Sequence, residues 1–237
     1  MDNFAKMLSN VKGDIGVDID DTMILLGPHL ITYMNNLFSD ILSRPFSERD
    51  AVIHGMEKIK LLKDAGITKE KILYMLKRME SDGFIEKIMP SDICIDSLKI
   101  MSKHHSIDFI TSRYGFYDDA IGMTSRWHEA LFKKTGFKAR KIIYNHEKHE
   151  ENHIGLFFDD NPYFVVEMLR KGKPVVLFDM SSNRMNSHDA SILPEEFFIE
   201  KKLLIEEIEK YNDTLLFRVS GWKDVHDALL SSQRFSP

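Results

Sequence analysis

The chain has 237 residues, of which 43% are apolar and 29% are charged, and its formal net charge is −5. This composition is typical of a globular protein and excludes a disordered chain, a collagen and a small disulfide-stabilised domain. The acidic balance argues against a general nucleic-acid-binding protein, because such proteins usually present a basic surface to the phosphates.

A single cysteine, Cys94, excludes an intrachain disulfide and fits a reducing compartment. No apolar run approaches the roughly 20 residues that span a bilayer, and residues 1–10 lack the pattern of a signal peptide. We therefore expect a cytoplasmic protein that does not contact membranes, and we leave open a homodimer.

Five short runs have the character of buried strands, because they are apolar on both faces. They lie at residues 15–19, 107–110, 141–144, 155–158 and 174–178. Helical patterns separate them, at residues 95–105, 119–134 and 162–171, with Pro162 placed to start the last helix and Gly172 to end it. This alternation predicts an α/β fold with a doubly wound, Rossmann-like parallel sheet.

One long segment breaks the alternation with helical patterns at residues 30–42, at residues 51–63 and after Thr68, which can cap the third helix. We therefore predict a core of residues 1–26 and 95–237, with a small helical cap of residues 27–94 inserted after the first strand. An insert at this point can cover the carboxyl ends of the strands, where open α/β sheets bind their ligands.

Polar side chains stand at the ends of three predicted strands: Asp18 and Asp20 at the first, Thr111, Ser112 and Arg113 at the second, and Asp159 and Asp160 at the fourth. The sheet would bring these residues into one cleft. Converging carboxylates repel each other unless a divalent cation neutralises them, and Mg²⁺ prefers such oxygen ligands. Each motif by itself also fits a helix cap or a solvated strand end.

The order of these motifs, Asp-x-Asp-x-Thr at residues 18–22, then a strand ending in Thr111, then Lys148, then Asp159-Asp160, resembles that of the haloacid dehalogenase (HAD) superfamily. A helical insert just after the first motif resembles the type 1 cap of that superfamily. The resemblance covers most of the core and implies a phosphotransferase fold and chemistry.

This resemblance implies that Asp18 is a nucleophile that attacks phosphorus and forms an aspartyl-phosphate. Asp20 would protonate the leaving oxygen and later deprotonate the attacking water. The Mg²⁺ ligands would be Asp18, the main-chain carbonyl of Asp20, Asp159 and Asp160.

The resemblance also implies a set of phosphate-binding residues. Thr111 and Lys148 would bind the non-bridging oxygens, and Ser112 and Arg113 would add contacts. Lys141 competes with Lys148 for the cationic role. We favour Lys148, because Lys141 stands at the start of its predicted strand and would lie at the other edge of the sheet.

A narrower resemblance is to the 5′(3′)-deoxyribonucleotidases and their bacterial and phage relatives. It rests on the motifs above and on three later ones, residues 176–179, Asn183-Arg184 and residues 218–222. The sequence departs from many HAD proteins at Asp21, where they have glycine, and from some nucleotidases at Ser112-Arg113. The implied substrate is a small phosphomonoester, most specifically a (deoxy)nucleoside monophosphate.

Other functions stay open at this point. One is a phosphatase for another small phosphomonoester, and one is a phosphatase for a polynucleotide end, which the basic insert favours through Lys58, Lys60, Lys63, Lys69, Lys71, Lys77 and Arg78. A third is a HAD-like binding protein without catalysis. A receiver-type signalling module fits poorly, because it is usually far shorter and lacks such an insert.

The aromatic residues Tyr33, Phe38 and Phe46 either stack on a base or pack within the insert.

Overall fold

The computed structural model describes residues 10–48, 50, 56, 59–113, 117–179, 195–211 and 215–231, with Phe4, Met7 and Leu8, and the side chains of all of these except residues 197, 198 and 201. The strands are β1 (Asp14–Asp18), β2 (Ile107–Thr111), β3 (Lys141–Tyr144), β4 (Ile154–Asp159), β5 (Val175–Phe178) and β6 (Leu216–Val219). The helices are α1 (Gly27–Phe38), α2 (Lys60–Asp64), α3 (Lys69–Ser81), α4 (Asp92–Met101), α5 (Ala120–Thr135), α6 (Pro162–Arg170), α7 (Glu195–Glu209) and α8 (Trp222–Ser231).

The strands form one parallel sheet in the order β3-β2-β1-β4-β5-β6. The predicted α/β fold with a doubly wound, Rossmann-like sheet is therefore confirmed. The chain winds outward in both directions from β1, so the order of strands reverses between β1 and β4. Open sheets of this kind bind ligands at that reversal, beyond the carboxyl ends of the strands.

Successive side chains of the central strands point to opposite faces of the sheet, because the strands are pleated. In β4, Leu156 and Phe158 join the larger hydrophobic core, while Phe157 joins the smaller one beneath α6 and α7. Gly16 in β1 leaves space for the Ile110 side chain. A Cβ at position 16 would lie only 2.6 Å from Cδ1 of Ile110. Two covered faces explain why the strands are apolar throughout.

Among the described residues between β1 and α4 there are three α-helices, α1, the short α2 and α3. Helix α1 contacts α3, and their buried residues Leu30, Met34, Met75 and Met79 belong to the larger hydrophobic core. Helix α4 instead packs against α8. The division into core and cap at residues 27–94 stays a prediction.

Predicted and observed elements agree closely where the pattern is strong. The five predicted strands match β1 to β5 within one or two residues, and β6 was not predicted. Pro162 lies in the first turn of α6, and Gly172, with φ of 70°, follows its end, as predicted. Of the predicted helix at residues 51–63, positions 51–55, 57 and 58 lie outside the described residues.

Two helix ends differ from the prediction. Helix α1 ends at Phe38, so residues 39–42 of the predicted helix are not helical. Thr68 occupies the position that precedes α3, but its side chain accepts no capping hydrogen bond. Among the described residues, no helix combines the length and apolar character needed to cross a membrane.

Candidate active site

The first part of the site lies where the strand order reverses. Asp18 ends β1 and Asp159 ends the adjacent strand β4, so the two carboxylates stand side by side at the carboxyl edge of the sheet. Asp159 Oδ1 accepts a hydrogen bond from the main-chain N–H of Asn161 at 2.9 Å. Asn161 in turn caps α6 by accepting from the N–H of Tyr163. The start of α6 therefore fixes the position of Asp159.

Lys148 lies between these two carboxylates. Its Nζ atom is 2.6 Å from Asp18 Oδ1 and 2.7 Å from Asp159 Oδ2, and its side chain is 2% exposed. Burial alone would lower the pKa of Lys148, but the Asp159 and Asp18 carboxylates outweigh it and raise that pKa. Lys148 is therefore charged and neutralises part of the cluster. Lys141 is half-exposed and lies 3.9 Å from Asp108, so the structure brings Lys148, and not Lys141, to Asp18.

Asp160 completes a cluster of three buried carboxylates. One oxygen each from Asp18, Asp159 and Asp160 lies within 4.8 Å of the others. Burial, together with neighbouring carboxylates, raises the pKa of Asp160, and burial is also the main cause that raises the pKa of Asp18 to about 8. The three carboxylates outnumber the single ammonium of Lys148, and they offer hard oxygen ligands. This donor set fits Mg²⁺.

Asp20 stands apart from this cluster and pairs with Arg113. The Nε and Nη2 atoms of Arg113 donate to the two carboxylate oxygens of Asp20 at 2.7 and 2.6 Å. The guanidinium is 2% exposed, donates also to the Thr124 hydroxyl, and lies over the Trp127 ring. A two-pronged pair with a buried guanidinium fixes the direction of the Asp20 carboxylate. The guanidinium of Arg113, predicted to contact phosphate, is thus directed at Asp20.

The other predicted phosphate-binding residues end β2. Thr111 is its last residue and is 1% exposed, and its hydroxyl accepts a hydrogen bond from the main-chain N–H of Arg113 at 3.3 Å. Ser112 follows it and lines the cavity in front of the carboxylates. The structure therefore brings every predicted site residue to the same edge of the sheet, in two groups centred on Lys148 and Arg113.

Some contacts in the site join residues that no local pattern connects. The Thr22 hydroxyl donates to Asp160 Oδ1 at 3.3 Å. The indole N–H of Trp222 donates to the main-chain carbonyl of Thr22 at 2.7 Å. Trp222 belongs to the motif at residues 218–222, whose role was not predicted. This hydrogen bond links Trp222 to the loop after β1.

A cavity of about 320 Å³ opens in front of these groups. Its wall on the sheet side is polar and contains Asp18, Asp20, Asp21, Ser112, Arg113, Lys148, Asp160 and Asn161. On the insert side the wall is apolar, with Leu26, Leu30, Met56, Ile72, Leu73 and Leu76. Lys69, Tyr117 and Phe164 complete the lining. A cavity of this size is at the lower end of the range for small-molecule sites.

The aromatic residues considered for base stacking do not line this cavity. Phe46 is buried, and Phe38 packs on the hydrophobic core. The Tyr33 hydroxyl donates to Asp82, and its ring packs edge-on against Phe84. These side chains therefore contribute to the packing of the insert.

Three basic residues of the insert have partners away from the cavity. Lys77 contacts Asp118 at 2.7 Å, Lys71 donates to the Gly66 carbonyl, and Arg78 lies 3.4 Å from Asp82. Among the described basic residues of the insert, Lys69 alone lines the cavity. Lys58 lies outside the described residues, as do Asn183 and Arg184 of the narrower resemblance.

Comparison of the sequence with family models and with curated proteins finds no match. The structure is similar to a phosphonoacetaldehyde hydrolase-like protein from Oleispira antarctica, with 13% identity, a TM-score of 0.52 and coverage of 91% of this chain and 92% of that one. A haloacid dehalogenase-like family hydrolase from Streptococcus pneumoniae has 12% identity, a TM-score of 0.52 and coverage of 90% and 96%.

A HAD hydrolase of family IA, variant 3, from Entamoeba histolytica has 12% identity, a TM-score of 0.53 and coverage of 92% and 99%. At such low identity these similarities show the fold alone. The chain has the fold of HAD-like hydrolases over nearly its whole length.

Proposed function

We propose that the protein is a Mg²⁺-dependent phosphomonoester hydrolase that acts through an aspartyl-phosphate at Asp18. The observation that carries this proposal is the contact of Asp18 with Lys148 at the strand reversal, beside a second carboxylate, Asp20, that Arg113 holds in place. A nucleophile, a proton donor and a cation for phosphate are thereby available in one cleft. The HAD-like fold supports the same chemistry.

In the first half-reaction, a carboxylate oxygen of Asp18 attacks phosphorus, and the bond from phosphorus to the ester oxygen breaks. Asp20 enters this step in its protonated form and gives that proton to the departing oxygen. In the second half-reaction, Asp20 takes a proton from water, the water oxygen attacks phosphorus, and the bond from Asp18 to phosphorus breaks. Inorganic phosphate is released, and both carboxyl groups return to their first state.

Lys148, Thr111 and Ser112 would bind the non-bridging oxygens, where charge is spread in the transition state. Asp18, Asp159, Asp160 and the main-chain carbonyl of Asp20 would hold Mg²⁺. When bound, the metal would offset the repulsion between the Asp18 carboxylate and the anionic phosphate.

Residues 27–94 would act as the cap, since α1 and α3 supply the wall of the cavity that faces the acidic cluster. The narrower proposal, a (deoxy)nucleoside monophosphate as substrate, rests on the sequence resemblance. The alternatives are another small phosphomonoester, a polynucleotide end and a binding function without catalysis.

The test is inorganic phosphate release from deoxynucleoside monophosphates, sugar phosphates, simple alkyl phosphates and a 3′-phosphorylated oligonucleotide, with Mg²⁺ and with EDTA. We expect release in Mg²⁺ only, and a loss on the order of 10³-fold or more in Asp18→Asn, because the amide is not a nucleophile. Asp96→Asn is the matched control, since Asp96 is an exposed aspartate on α4 outside the cavity. No release from any substrate, or full activity in Asp18→Asn, would overturn the proposal.

A further inference from the structure

The cavity has two chemically different sides. On the sheet side, the carboxylates and the cations form a site for an ionic group. On the insert side, the main chain turns into α1 at Leu26, and α1 and α3 present a continuous aliphatic surface composed of Leu26, Leu30, Ile72, Leu73 and Leu76, with Met56 beside it. A molecule that places its phosphate at Asp18 therefore extends the rest of its structure toward this surface.

Hydrogen-bonding groups are scarce on the insert side. Among the described residues that line the cavity there, Lys69 and Tyr117 alone carry polar side chains. Lys69 is exposed and stands at the first position of α3. Burial raises the pKa of the Tyr117 hydroxyl, which keeps it neutral. The described residues of this wall therefore supply very few partners for a polar ligand.

We propose that the substrate is a phosphate monoester of an apolar alcohol, whose aliphatic or aromatic group packs against Leu30, Leu73 and Leu76. This inference rests on the hydrolase part of the proposed function, and it specifies the alternative of another small phosphomonoester in place of a (deoxy)nucleoside monophosphate. Binding is favoured when an apolar group leaves water and packs against this wall. Met56, with its flexible side chain, can adjust to groups of different shape.

A sugar or a diol in the same place loses its water without replacing its hydrogen bonds. Burying a hydroxyl without a partner is unfavourable, and an apolar pocket disfavours a ligand that carries one extra hydroxyl by up to roughly 10²-fold. The wall therefore selects against hydroxyl-rich phosphate esters more strongly than it selects among apolar ones.

The test uses a series of n-alkyl phosphates from ethyl to hexyl, in Mg²⁺. Their leaving groups have nearly equal reactivity, so a change in kcat/KM along the series reports contact with the wall. We expect kcat/KM to rise about four-fold per methylene, the factor that corresponds to about 0.8 kcal/mol for a buried CH₂, until the cavity is filled. The monophosphate of 1,6-hexanediol is expected to react at least ten-fold more slowly than hexyl phosphate.

A pair of neighbouring positions on α3 supplies matched variants. Leu73 lines the cavity, whereas Tyr74 is 60% exposed and does not. We expect Leu73→Ala to lower kcat/KM for hexyl phosphate about ten-fold and to leave that for ethyl phosphate nearly unchanged. Tyr74→Ala is expected to leave both values unchanged.

The outcomes separate this inference from the proposed function. Phosphate release that does not increase with chain length, or that is faster for the diol ester, a sugar phosphate or a nucleotide, would overturn the apolar substrate class while the hydrolase proposal stands. Absence of release from every ester would overturn the hydrolase proposal itself. The wild-type series decides the question even where Leu73→Ala fails to fold.

Discussion

Asp21 has a backbone conformation, with φ of 55°, that glycine adopts without strain and most other residues avoid. Its Oδ1 atom accepts hydrogen bonds from the main-chain N–H groups of Leu26 at 2.8 Å and of Gly27 at 3.2 Å. These bonds close the loop that leads from the acidic motif into α1. They explain how an aspartate fits where many HAD sequences have glycine.

A pair of substitutions at Asp21 separates the hydrogen bonds from the charge. Asp21→Ala keeps the strained backbone and removes the oxygen that accepts both hydrogen bonds, so we expect the free energy of unfolding to fall by about 2 kcal/mol. Asp21→Asn keeps an acceptor, and asparagine tolerates positive φ. Because burial raises the pKa of Asp21 to about 7, loss of the charge should cost little at neutral pH. Urea unfolding measures both, and equal losses in the two variants would show that the acceptor is unimportant.

Individual site residues could be predicted where a charged side chain stands at the end of a predicted strand or in a family motif. Asp18 and Asp159 were predicted from their places at strand ends, and Lys148 from the order of motifs in the HAD resemblance. The structure brings the three side chains together. Their partners could not be predicted in the same way. Thr22 and Trp222 are 200 residues apart, and their hydrogen bond depends on how the whole sheet is ordered. The pairing of Arg113 with Asp20 likewise depends on tertiary structure and is not indicated by the local sequence.

At the scale of elements, a hydroxyl residue precedes both α3 and α4, but only the one before α4 caps its helix. The Ser91 hydroxyl accepts a hydrogen bond from the main-chain N–H of Cys94 at 3.2 Å and so caps α4. Thr68 precedes α3 in the same way without such a bond. Helix termini leave main-chain N–H groups without partners, and a side-chain acceptor satisfies one of them.

This difference predicts unequal effects of alanine. Ser91→Ala should lower the free energy of unfolding by about 1 kcal/mol, the usual cost of a lost cap. Thr68→Ala should lower it by less than half as much. Thermal or urea unfolding of the two variants compares them directly. An equal or larger effect at Thr68 would contradict the assignment of the cap.

Elements with strong patterns could be predicted, and elements with weak patterns could not. Strands β1, β2, β4 and β5 are apolar runs in the middle of the sheet, where both faces are covered. Strand β6 lies at the edge, has four residues and includes Arg218, so neither a run nor an alternation marks it. Helix α1 was predicted to extend to residue 42 because Ile41 and Leu42 continue its apolar spacing, although the helix ends at Phe38.

At the scale of the whole molecule, the sheet order turns distant motifs into one site. Residues near positions 18, 111 and 159 meet because β2, β1 and β4 are adjacent, in parallel register. This convergence could be predicted from the strand pattern together with the rule for open sheets. The apolar wall could not, because it depends on the angle at which α1 and α3 lie over the strand ends. The sequence pattern shows that these helices are amphipathic, but not what their apolar faces cover.

The proposed mechanism requires that Asp18 becomes phosphorylated during turnover, and trapping that phosphate would detect it. The wild-type protein, supplied with Mg²⁺ and the best alkyl phosphate, would be quenched in acid during turnover, digested and examined by peptide mass spectrometry. We expect phosphate on the peptide that contains Asp18 in the wild type and none in Asp18→Asn. With p-nitrophenyl phosphate, whose leaving group needs no proton from Asp20, we expect an increased amount in Asp20→Asn, because the second step lacks its base. Release of phosphate with an unmodified Asp18 peptide in both the wild type and Asp20→Asn would contradict this mechanism.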